Sequence, residues 1–93
     1  MVRRIVRQNI RRMRLCYESA AASDPTLSGS VAVSYRIDTT GAVESAKDAG
    51  STVGSADLVA CVVRVFKALS FPTPSTGPID VTETIYFTPA SSP

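Results

Sequence analysis

Ser28-Gly29-Ser30-Val31-Ala32-Val33-Ser34-Tyr35-Arg36-Ile37-Asp38 is the stretch that decides the fold. Val31, Val33, Tyr35 and Ile37 alternate with Ala32, Ser34 and Arg36. A period of two gives a strand with one apolar face and one wetter face. Asp38-Thr39-Thr40-Gly41 follows as a turn, with a glycine free to take positive φ. Ala42-Val43-Glu44-Ser45-Ala46 then returns as a weaker strand, which completes a β-hairpin. The rest of the chain serves as cover for the apolar face of that hairpin, and Tyr35 is expected to be largely buried, its ring between the sheet and a helix and its hydroxyl reaching a polar edge.

Upstream, Val2 to about Ala22 is expected to be one helix. At 100° per residue, Val2, Ile5, Val6, Asn9, Ile10, Met13, Cys16, Tyr17 and Ala20 form one stripe, and Leu15 lies off it. Asp24-Pro25 ends the pattern. Downstream, Lys47 to Gly54 is a loop of small and polar residues. Ser55 or Asp57 can cap a second helix from about Ala56 to Leu69, whose apolar positions are Leu58, Cys61, Val62, Val65, Phe66 and Leu69. Phe71-Pro72-Thr73-Pro74 cannot continue it. A last strand covers about Ile79 to Thr88, rich in Ile, Val, Thr, Tyr and Phe. Ile85 and Phe87 face inward there. Strict alternation also turns Glu83 inward, so a bulge or a later start of pairing is expected.

The order α-β-β-α-β predicts an α+β domain with a three-stranded sheet in the order 2-1-3. Two helices lie on one face, and the first strand is central. The last strand is then an edge, with a row of unpaired N–H and C=O groups that invites an added strand.

The chain has 93 residues, near the lower end for a self-sufficient core. One domain, residues 1–89, and a flexible tail, residues 90–93, are expected. The net charge is only +2, yet Arg3, Arg4, Arg7, Arg11, Arg12 and Arg14 crowd the first helix. That face is either solvated or an electrostatic patch for phosphates or an acidic partner, centred on Arg7, Arg11 and Arg14. Nucleic acid is disfavoured, because no aromatics interleave with the arginines. No apolar run approaches the ~20 residues of a membrane span, and the start of the chain has no signal-peptide core. Met1 is read as an initiator placed on an excised domain.

Catalysis is poorly provided for. There is no His, which removes the commonest general base and metal ligand. Asp38, Glu44, Asp48 and Asp57 are scattered with no pairing interval. The small-residue loop Gly50-Ser51-Thr52-Val53-Gly54-Ser55 precedes a helix but lacks a phosphate-binding lysine or glycine fingerprint. No catalytic residue, metal or cofactor is expected. Cys16 and Cys61 fall on the apolar faces of the two helices and can meet there. They are either two buried thiols or a disulfide, with the disulfide favoured; it would indicate an oxidising compartment.

Val6-Arg7-Gln8-Asn9, Arg14-Leu15-Cys16-Tyr17-Glu18, Gly29-Ser30-Val31-Ala32-Val33, Ile37-Asp38, Gly41-Ala42-Val43, Cys61-Val62, Phe71-Pro72 and Ile85-Tyr86-Phe87 occur in one order over nearly the whole chain. In this combination the sequence resembles TonB C-terminal-like domains of the AgmX/PglI type, found in envelope proteins of gliding and predatory bacteria. The resemblance implies a periplasmic, non-enzymatic protein-interaction domain of an inner-membrane-anchored protein. Such a domain couples energy or force across the envelope, in gliding motility or TonB-like transport. The Pro-rich spacer and membrane anchor of such proteins are not within this sequence. The implied partner is a periplasmic segment of an outer-membrane or envelope protein, added as a strand along Thr82, Glu83, Thr84, Ile85, Tyr86, Phe87 and Thr88. The domain itself is not expected to insert into the membrane. The alternative is a structural module that self-associates, as a weak homodimer, through the same edge.

Overall fold

The computed structural model describes residues 2–88, with side chains from residue 4 onward. The stripe position Val2, the side chain of Arg3 and the expected tail 90–93 lie outside that description. The elements are α1 (Val2–Gln8), α2 (Ile10–Ala21), β1 (Gly29–Ile37), β2 (Val43–Asp48), α3 (Ala56–Lys67) and β3 (Ile79–Phe87). The sheet order is β2-β1-β3, with β1 antiparallel to both neighbours. This is the α+β arrangement that the hairpin and the crossover helix dictate.

The alternation in β1 sets the core. Val31, Val33, Tyr35 and Ile37 are all buried, and Met13, Leu58, Val62 and Phe66 close over them with no exposed surface. The Tyr35 ring packs against Phe66 at 5.0 Å and Phe71 at 5.9 Å between centroids. Ser55 caps α3 by accepting the Leu58 N–H at 3.2 Å, satisfying one of the helix's orphan donors. The Asp38–Ala42 turn is closed by Asp38 N–H to the Ala42 carbonyl at 2.8 Å. The Thr40 hydroxyl and amide donate to Asp38 and hold its carboxyl below the ordinary aspartate value. Gly41 has φ +91°, and a Cβ there would meet the Phe71 carbonyl oxygen, so only glycine fits where the two loops touch.

Four expectations need correction. The N-terminal helix is not continuous. Asn9 adopts φ −108°, ψ 9°, and its side-chain amide donates to the Ile5 carbonyl at 2.9 Å. A side chain thus takes an acceptor that the helix ladder would otherwise use, and the helix breaks into α1 and α2. Ile10, the first residue of α2, is left 37% exposed. Second, β2 runs on to Asp48, taking Lys47 and Asp48 from the expected loop.

Third, β3 has no bulge and pairs without interruption from Ile79 to Phe87. The irregularity lies in β2, where Ile37 pairs with Val43 while Arg36 pairs with Ser45, so Glu44 is the extra residue. Glu83 does point to the inward side, opposite Val33. It is tolerated because the helices leave this part of β3 partly uncovered: Ile79, Val81 and Glu83 are half-buried, and only Ile85 and Phe87 are buried.

Fourth, the Tyr35 hydroxyl does not reach a polar edge. It is buried without a hydrogen-bond partner. Burial, reinforced by the Glu83 charge, pushes its ionisation well above the usual phenol value.

The two cysteines form the bridge Cys16–Cys61, with Cα atoms 5.8 Å apart and a sequence separation of 45. It ties α2 to α3 across the top of the sheet.

Candidate peptide-docking groove

The backbone of β1 fixes which groups of β3 remain free. Ser30 and Ala32 direct their polar groups toward the β2 side. The Ser30 carbonyl accepts from Thr52 N–H at 2.8 Å, the Ala32 carbonyl accepts from Ala49 N–H at 2.7 Å, and Ala32 N–H donates to Ser51 Oγ. Successive residues of a strand alternate their hydrogen-bonding direction. Gly29, Val31, Val33, Tyr35 and Ile37 therefore bond to β3, facing Phe87, Ile85, Glu83, Val81 and Ile79. The N–H and C=O groups of Asp80, Thr82, Thr84 and Tyr86 point away from the sheet. Among the described residues no strand pairs with that edge.

The C-terminal half of this edge is one wall of an open groove of about 820 Å³. Ile85, Tyr86, Phe87 and Thr88 form that wall. Ile10, Arg14, Tyr17, Glu18, Ala21, Ala22 and Pro25 form the other, from α2 and the turn after it. The floor is a stacked pair: the Tyr17 and Phe87 rings lie 5.3 Å apart and 6° from parallel. The Tyr17 hydroxyl donates to the Leu27 carbonyl at 2.6 Å, which pins the ring where α2 meets the sheet. Tyr86, on the outer face, is 79% exposed.

The seven residues expected along the last strand thus divide by parity. Thr82, Thr84 and Tyr86 carry the free backbone groups. Glu83, Ile85 and Phe87 spend theirs on β1 and turn their side chains inward, while Thr88 follows the strand and lines the groove. The arginine surface divides as well. Arg14 lines the groove, whereas Arg7 and Arg11 are exposed outside its lining. The edge and the arginine face, separate in the sequence, meet at Arg14.

The sequence pattern places Ile10 and Tyr17 on the core stripe and Pro25 at the helix end, and gives Glu18, Ala21 and Ala22 no role in a site, yet all of them line the groove. The run Ala20-Ala21-Ala22 is the signal that was present, because small side chains leave room beside a strand. Among the described residues, no three His, Cys, Asp or Glu side chains converge as metal ligands, and no helix is long and apolar enough to cross a membrane. No protein-family model, curated protein or solved structure matches the chain.

A free strand edge beside an apolar-floored groove can accept an extended peptide. Main-chain hydrogen bonds to Thr82, Thr84 and Tyr86 would supply affinity. Ile10, Arg14, Tyr17 and Glu18 would read the side chains that turn toward α2.

Proposed function

We propose that this chain is a non-enzymatic protein-interaction domain that binds an extended segment of a partner by strand addition along Thr82–Thr88. Its proposed setting is the periplasm, as a TonB C-terminal-like domain of an inner-membrane-anchored protein. There it would couple energy or force to an outer-membrane or envelope partner. The observation that carries this reading is the unpaired β3 edge opening into the α2 groove. The Cys16–Cys61 bridge is compatible with an oxidising compartment.

Proline substitution tests it. Thr84→Pro removes an outward N–H that the sheet does not use, so the domain is expected to fold, which a melting curve checks first. Losing one such bond and crowding its neighbour should weaken capture of a partner from envelope extract by about ten-fold or more. Thr84→Ala keeps the N–H and should bind normally. If folded Thr84→Pro captures the partner as well as Thr84→Ala does, strand addition is the wrong mechanism. The same edge, unbroken by bulge or proline over Ile79–Phe87, could instead pair with a second copy. Size that grows with concentration, and is abolished by Thr84→Pro, would favour that occupant.

A further inference from the structure

Apart from Arg14, which lines the groove, the arginine surface of α1 and α2 is not used by it. Arg4, Arg7, Arg11, Arg12 and Arg14 are all exposed on α1 and the first turns of α2. No acidic residue precedes Glu18 in the sequence. Arg4 and Arg7, and likewise Arg11 and Arg14, sit three residues apart within their helices, where like charges repel. Among the described residues the only ion pair is Arg36–Asp80, on the uncovered face of the sheet. The arginine cluster is therefore not neutralised from within the described fold.

At 100° per residue, Leu15 lies nearly opposite the fully buried Met13, so it points straight away from the sheet. It is 59% exposed. Arg11 and Arg12, one turn back, flank it. An apolar side chain at the crest of a basic helix is the pattern of a helix that rests in a lipid interface. Guanidinium groups pair bidentately with phosphate oxygens, and their long stems lie along apolar surface while the charge stays at the headgroups. Shape separates a bilayer from a peptide. Arg11, Arg12 and Leu15 project from the exposed side of a helix, which a flat lipid surface can meet directly.

We infer that the crest of α2, Arg11, Arg12 and Leu15, together with Arg4 and Arg7 of the preceding α1, docks on an anionic phospholipid surface without spanning it. This inference does not rest on strand addition, and the test leaves the groove residues unchanged.

The chain is co-sedimented with vesicles of phosphatidylglycerol and phosphatidylcholine, and with phosphatidylcholine alone. Binding is expected on the anionic vesicles only and should fall steeply with added salt. A variant with Arg4, Arg7, Arg11 and Arg12 all changed to Gln should bind more than about a hundred-fold more weakly, since each basic residue near such a surface contributes about five-fold. Leu15→Ser should weaken binding about five-fold and leave the salt dependence intact. Melting curves check the fold; if the fourfold variant melts early, Arg11→Gln with Arg12→Gln carries the same comparison. Failure of the unaltered chain to bind anionic vesicles would overturn the inference, as would undiminished binding by the arginine variants. So would full displacement by inorganic phosphate or by a polyglutamate chain, which would assign the arginines to free anions or to an acidic protein.

Discussion

Opening the Cys16–Cys61 bridge is expected to remove about 4 kcal/mol of stability, the chain-entropy value for a loop of this length. The bridge encloses the whole β1–β2 hairpin and the start of α3. Reduced chains therefore gain a much larger unfolded ensemble. A domain of this size has a net stability of about 5–14 kcal/mol, so the loss is a large fraction of the total. It corresponds to a fall in melting temperature of about 15–30 °C. Urea unfolding with and without reductant measures the change, and Cys16→Ala with Cys61→Ala should reproduce it without reductant. A change below about 1 kcal/mol would mean that α2 is held to α3 by packing alone.

Truncating Tyr35 to Ala should cost about 3–4 kcal/mol, the range for deleting a buried aromatic ring. The ring fills the space between the sheet, Phe66 of α3 and Phe71 of the following loop, so its removal leaves a cavity that three elements would have to close. Tyr35→Phe separates the ring from the hydroxyl. That hydroxyl is buried without a partner, so its deletion removes a desolvation penalty rather than a bond. Tyr35→Phe should therefore be neutral or stabilise by about 1 kcal/mol. Paired denaturation curves check both. A loss in Tyr35→Phe comparable to that in Tyr35→Ala would show that the hydroxyl makes a stabilising contact.

These effects trace back to what local pattern does and does not encode. The hairpin and the cover helix α3 were legible because their signals are periodic: Val31, Val33, Tyr35 and Ile37 every second residue, Leu58, Val62 and Phe66 every fourth. The position of β3 beside β1 followed from connectivity. The break at Asn9 was not legible, because it depends on one side-chain amide bonding back to Ile5 within a run of good helix formers. Inward-facing Glu83 suggested a bulge because alternation implies full burial. It does not reveal that the helix layer stops short of the start of β3. The candidate site was legible as an edge but not as a groove. Which amides point outward depends on the β1–β3 register, and the α2 wall depends on Tyr17 stacking on Phe87 across the fold. Arg14 was singled out for its charge, and its place beside the strand edge is a tertiary fact.

Amide hydrogen exchange along β3, free and with a captured partner, tests the central claim most directly. In the free protein the N–H groups of Thr82, Thr84 and Tyr86 should exchange quickly, while those of Val81, Glu83 and Ile85, bonded to β1, exchange slowly. A strand added at the edge should slow the first set and leave the second unchanged. The account is contradicted if Thr82, Thr84 and Tyr86 are already protected in the free protein, or if they stay unprotected when the partner is bound.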